Sequence, residues 1–166
     1  MELLQPSIHP SAFVASNATV LGDVRLGPET VIMFGAVMRA EFASISVGAR
    51  TNIQDKSILH CDENQPCVIG ANVTVGHAAV VHGARIGDDC LVGIGSIALN
   101  GSELGEGAWL AAGSLLPEGN HIPPWTIAMG TPAKPVRELT SEEIERQRNG
   151  IANYQELRVT YQALHL

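Results

Sequence analysis

The chain has 166 residues, 45% of them apolar, and a formal net charge of −7 at pH 7 with histidine neutral. That charge argues against nucleic acid or an anionic membrane as partner, and no run approaches the roughly 18 apolar residues of a membrane span. Without a basic and apolar signal segment, the expectation is a single cytoplasmic domain over residues 1–166.

Apolar residues recur every six positions in four runs. The first is Val14, Val20, Leu26, Ile32 and Met38; the second is Val47, Ile53 and Leu59. The third is Ile69, Val75 and Val81, and the fourth runs Ile86, Val92, Ala98, Leu104, Leu110 and Leu116. Small or apolar residues follow most of these four places later, among them Ala36, Thr51, Ser57, Ala79 and Ser96. This hexapeptide pattern predicts a mainly β fold, a parallel β-helix in which three hexads make one triangular coil. Only seven aromatics are present, as expected where stacked Ile, Val and Leu fill a narrow prism.

After Leu116 the hexads are read as stopping. Residues 117–135, with Pro123-Pro124, Pro132 and Pro135, are read as a connector, so β-helix and connector together occupy about 8–136. Thr140-Ser141-Glu142-Glu143 is a capping box opening a C-terminal α-helix over about 140–164. Ile144, Ile151, Tyr154, Leu157, Tyr161 and Leu164 form its apolar stripe, which Gly150 either breaks or weakens. Such a helix would lie back along the prism.

The repeat assigns three histidines to faces. Leu59 and Val81 mark the third side of adjacent coils, so His60 and His82 hold equivalent places on neighbouring strands, roughly 4.8 Å apart. His77 follows Val75 by two residues, on the second side. It can join the pair only if another copy of the chain lies alongside, which implies a cyclic oligomer, and a triangular prism suits a homotrimer. Arg39 lies in the column of His60 and His82, while Gln54 and Asp55 lie on the side of His77. Arg39 and Asp55 would then be partners across the interface, as a charge-assisted pair, with Glu41 a second candidate for Arg39. Three neutral imidazoles suit zinc, with iron(II) and cobalt(II) as alternatives, and leave a position for an activated water. The Gln54 amide would orient that water or the substrate.

The segments Val37-Met38-Arg39-Ala40-Glu41, Asn52-Ile53-Gln54-Asp55, His60, Val75-Gly76-His77 and Val81-His82-Gly83 together resemble the γ-class carbonic anhydrase-like family, as does Gly130-Thr131-Pro132-Ala133-Lys134. The resemblance covers nearly the whole chain. It implies a left-handed β-helix and a homotrimer with metal sites between subunits: His60 and His82 from one subunit, His77 from its neighbour. Arg39, Asn52, Gln54 and Asp55 would serve the site. It also implies a tyrosine of the C-terminal helix near the metal, with Tyr154 as the candidate and plain packing as the alternative. Two departures stand out. The family's Arg-Gly-Asp is here Arg39-Ala40-Glu41, and its acidic loop is here the short Cys61–Cys67 segment, with Glu63 as the one plausible proton shuttle.

Three cysteines argue against a secreted disulfide framework. Cys90 takes an inward place and reads as core; Cys61 and Cys67 read as free thiols, with a redox-controlled crosslink as the alternative. His9, His121 and His165 read as solvated. The expected activity is metal-dependent hydration of CO2 to bicarbonate. The alternatives are thioester or ester hydrolysis at the same site, a coenzyme A-dependent acyltransferase, or a metal-stabilised assembly module without chemistry.

Overall fold

A computed structural model describes residues 3–164. The chain winds as a left-handed parallel β-helix of about seven turns, followed by one C-terminal helix. On the second face, pairs such as Val31–Ile32, Asn52–Ile53, Thr74–Val75, Leu91–Val92 and Trp109–Leu110 stack in parallel register. On the third face Met38, Leu59, Val81, Ala98 and Leu116 stack, and on the first Val47, Ile69, Ile86, Leu104 and Ile122. The second members of the pairs, Ile32, Ile53, Val75, Val92 and Leu110, point inward with the columns of the other two faces, and all three columns are buried. A buried aliphatic side chain contributes about 1.5–3 kcal/mol, so the stacked columns carry most of the fold's stability.

The corners explain the small residues between hexads. Thr51 Oγ1 donates to Gly70 O at 2.7 Å, Ser57 Oγ to Gly76 O at 2.8 Å and Ser96 Oγ to Gly93 O at 2.7 Å, so buried hydroxyls satisfy corner carbonyls. Strands Thr19–Leu26 and Val37–Val47 run through a corner and join the third face to the first. Their register shifts just after Gly22, whose φ is +85°. A Cβ built on Gly22 would lie 2.1 Å from Ala40 O, so both the conformation and the close approach require glycine there.

The repeat does not stop at Leu116. His121–Ile122 stacks on Glu103–Leu104 and Thr126–Gly130 on Trp109–Leu110. Ile122 and Ala128 continue the six-residue spacing and are buried. The prolines read as ending the repeat sit at its corners instead: Pro117, Pro123 and Pro124 lie in turns, where the chain leaves the ladder. Only after Gly130 does the chain reverse, and Ala133–Glu138 pairs antiparallel with Thr126–Gly130 across a bulge.

The helix Ser141–Ala163 runs unbroken through Gly150. Its capping box is formed: Glu143 N donates to Thr140 Oγ1 at 3.2 Å, and Thr140 N to Glu143 Oε2 at 2.9 Å. Of the predicted stripe, Ile151 is buried, and Tyr154 and Tyr161 pack on a cluster of Phe13, Ala15, Val31 and Met33. Leu164, at the C-cap, is 61% exposed and falls outside the packed face. Polar side chains complete the seam instead. Gln147 Nε2 donates to Cys90 O at 3.0 Å, Gln155 Nε2 to Glu29 O at 3.0 Å, and Arg158 Nη1 to Ser11 O at 3.0 Å. Cys90 O also accepts from Thr74 N at 3.0 Å, and the helix supplies side-chain donors to the corner carbonyls of Glu29 and Ser11, which an aliphatic stripe could not do. No helix among the described residues is long and apolar enough to cross a membrane.

Candidate metal centre

Strands Ile58–His60 and Val80–His82 pair in parallel with His60 opposite His82, and Arg39 lies opposite His60 on the preceding coil. The stacking turns one strand spacing into a pair of imidazoles with centroids 4.9 Å apart and planes 55° apart. His60 Nδ1 and His82 Nε2 approach to 2.9 Å. Phe42 stands edge-on to His60 at 6.2 Å.

Three further side chains complete this half of the site. Glu41 forms an ion pair with Arg39, and its Oε2 lies 3.5 Å from His60 Nε2. Within the chain Arg39 thus pairs with Glu41, the second candidate, because alternate residues of one strand point to the same side; a pairing with Asp55 would lie between subunits. Asp62 Oδ1 lies 3.9 Å from His82 Nε2, and among the described residues His60, Asp62 and His82 offer ligand atoms all within 4.8 Å of one another. Asn100 joins His82 Nδ1 at 2.9 Å and Asp62 at 2.8 Å.

The electrostatics favour neutral imidazole at His60. Burial pushes His60 down, and the positive charge of Arg39 adds to this. Burial alone would raise the Glu41 carboxyl, but the hydrogen bond and charge of Arg39 hold it below the usual range. A carboxylate beside a neutral imidazole has a structural consequence. Glu41 Oε2 and His60 Nε2 are both buried and neither has a hydrogen-bond partner. Two such atoms side by side are what a cation would satisfy. The donor chemistry, imidazole nitrogen with carboxylate oxygen, fits a divalent metal.

The other predicted residues gather on the second face. Asn52 is fully buried, and its Nδ2 donates to Thr74 Oγ1 at 2.9 Å. Its Oδ1 accepts from Gln54 Nε2 at 3.1 Å, and Gln54 Oε1 accepts from the His77 backbone N at 3.2 Å. Asp55 Oδ2 lies 2.8 Å from His77 Nδ1. Tyr154, half-buried against the Phe13 cluster, is pushed up by burial and then by the Asp55 carboxylate. One chain therefore brings together Arg39, Glu41, His60 and His82 on the third face, and Asn52, Gln54, Asp55 and His77 on the second.

Sequence reasoning missed Asp62 and Asn100. Val81 aligns with Ala98, seventeen residues on, because the hexad between Val81 and Ile86 is one residue short. Asn100 therefore falls one place beyond the position equivalent to His82, beside Gly83, and only the shortened hexad signals it. Glu63 is exposed in the Cys61–Cys67 loop. Cys61, Cys67 and Cys90 are free and buried. Burial pushes the Cys67 and Cys90 thiols up to about 12, and Cys61 Sγ turns inward to Ala43 O at 3.0 Å. These are poor nucleophiles and poor ligands. Of the outlying histidines, His9 and His121 are exposed, and His165 lies outside the described residues.

Fold and site together define a hexapeptide-repeat β-helix protein carrying imidazole donors on two of its faces. A carbonic anhydrase of Geobacillus kaustophilus is 47% identical over 159 residues, covering 96% of this chain and 87% of its own. The mitochondrial γ carbonic anhydrase 2 of Arabidopsis thaliana is 41% identical over 155 residues, covering 90% of this chain and 56% of its own; the chain thus spans little more than half of that relative. A solved structure from Bacillus cereus, provisionally described as an acetyltransferase, superposes with a TM-score of 0.95 at 42% identity, covering 96% of this chain and 93% of that one. No protein-family model matches the chain. The chain belongs to the γ carbonic anhydrase family.

Proposed function

We propose that the chain hydrates carbon dioxide to bicarbonate at a metal site built between subunits of a homotrimer. The observation that carries this reading is the sorting of three histidines onto two faces, with His60 and His82 paired on the third and His77 apart on the second. His60 and His82 of one subunit, with His77 of a neighbour, would hold zinc, or iron(II) or cobalt(II) in its place. Such an ion lowers the pKa of bound water so that hydroxide is available near neutral pH.

The chain's own residues then bind, orient and move protons. Gln54, its amide held by Asn52 Oδ1 and the His77 backbone N–H, would use its remaining N–H to orient water or carbon dioxide. Asp55 accepts the Nδ1 proton of His77 and thereby sets which ring nitrogen faces the neighbour. Arg39, held by Glu41 and partly exposed, attracts the bicarbonate product. Tyr154, close enough to feel Asp55, supports the second-face half of the site. Released protons leave through Asp62 and the exposed Glu63. The homologous carbonic anhydrases support the reaction class, and the whole assembly would work as one domain per subunit.

The test is stopped-flow hydration of carbon dioxide by protein purified without oxygen and loaded with zinc, cobalt or iron, against the metal-free chain. Metal-dependent hydration is expected. A stoichiometrically loaded but silent protein would overturn the assigned reaction and leave the site.

A second reading, hydrolysis of a thioester or ester, is favoured by one observation. A groove of about 410 Å³ begins at Gln54 and is walled by Leu91, Ile94, Trp109 and Ile127. An apolar acyl chain fits such a lining, and acyl-thioester turnover by the loaded but hydration-silent protein would establish it.

A further inference from the structure

We infer that Asn100 is a positioning residue that fixes His82 as the tautomer protonated on Nδ1, so that Nε2 faces His60 with a free lone pair. Three contacts in a row compel this. Asn100 Nδ2 lies 2.8 Å from Asp62 Oδ2. An ionised carboxylate can only accept, so the amide nitrogen must be the end that points there. The amide oxygen is thereby turned to His82, with Oδ1 2.9 Å from Nδ1. An amide oxygen can only accept as well, so the proton resides on Nδ1. In a neutral imidazole this leaves Nε2 bare, 2.9 Å from His60 Nδ1. The usual ambiguity of amide and ring orientation is removed because the series ends on an acceptor-only group.

The fold holds both ends of this series. Asp62 is pinned by a tight loop in which Gln65 N donates to Asp62 O at 3.0 Å. Asn100 sits at a corner where Gly101 N donates to Gly83 O at 2.8 Å. Gly83 leaves the room: a Cβ built on it would lie 2.1 Å from Asn100 Oδ1. Any other residue at 83 would displace the amide that orients the histidine. Asp62, remote from His82 in sequence role, thus acts on it through Asn100.

The metal arm of the test rests on the reading of His82 as a ligand; the tautomer arm does not. Histidine-labelled protein, zinc-loaded and after chelation, would be compared with Asn100→Leu and with the exchange variant Asp62→Asn/Asn100→Asp by nitrogen-15 NMR and by zinc(II) and cobalt(II) competition titration. The parent chain should show His82 protonated on Nδ1 in both states. Asn100→Leu should lose that preference and about 10- to 100-fold in metal affinity. The exchange variant keeps a donor between positions 62 and 100 and an acceptor on His82 Nδ1, so it should retain the parental tautomer. Asn100→Ala carries the same test if the leucine variant does not fold. A leucine variant with the parental tautomer overturns the inference, and so does an exchange variant, folded by circular dichroism, that loses the tautomer as completely as leucine. If the parent chain binds neither metal, the ligand reading falls and the tautomer comparison alone decides the role of Asn100.

Discussion

Asp55 Oδ2 stands 2.8 Å from His77 Nδ1, and a carboxylate beside a ring nitrogen makes that nitrogen the proton carrier. His77 accordingly keeps a bare Nε2, as a ligand donated to a neighbour would require. Replacing Asp55 with alanine is expected to lower metal affinity about 10- to 100-fold, whereas Asp55→Asn, which keeps an acceptor oxygen, should lose less. Competition against a chelator of known affinity checks both. Should the alanine variant bind metal normally while its trimer weakens in sedimentation, Asp55 serves the interface instead.

If the site is shared between subunits, His77→Ala and His82→Ala should each abolish metal binding when prepared alone. Mixed after dissociation, the two variants should regain about a quarter of the sites, because random assembly places an intact pair beside an intact His77 in that share of interfaces. Metal stoichiometry by elemental analysis reads the outcome, and no recovery on mixing would place all three ligands in one chain.

Acid should loosen the junction between the β-helix and its helix. Arg137 donates to both carboxylate oxygens of Glu143 at 2.8 Å, and this pairing holds the Glu143 carboxyl down at about 2. A depressed carboxyl contributes stability that is fully present above its unfolded value near 4.5 and is lost as pH falls toward about 2. Glu143→Gln should therefore flatten the acid dependence of hydrogen exchange at the first helical turn across that window. An unchanged profile in the variant would mean that the pair contributes little.

Gly22→Ala should destabilise the fold by about 3 kcal/mol, since a left-handed conformation and a clash with the Ala40 carbonyl act at one position. Thermal unfolding checks this. A variant as stable as the parent would mean that the corner can be rebuilt.

The residues that were legible are those whose position follows from counting. Leu59 and Val81 are followed by His60 and His82, so the pairing of the histidines survives the four extra residues of the Cys61–Cys67 loop, because the loop leaves and re-enters the same corner. Counting failed where the physical cause lay elsewhere. Pro117 and Pro123 read as punctuation because proline cannot donate to a ladder, yet a triangular coil has corners where no donor is needed. Gln147, Gln155 and Arg158 were invisible as packing residues, since their role depends on carbonyls exposed at corners far away in sequence. The Arg39–Glu41 pair was legible as a second candidate, because residues two apart on one strand share a side.

The reversed strand Ala133–Glu138 has a consequence for how molecules meet end to end. A stack of parallel strands is a template: its last coil offers unpaired amides and carbonyls to any chain able to add another. Here the final rung of the second face is answered by a strand running the other way, bearing Lys134, Pro135 and Arg137. The last rungs of the other two faces, His121–Ile122 and Leu115–Leu116, are two residues long. A short, charged and proline-bearing terminus cannot seed a further coil, so this end of the prism is closed to fibre growth.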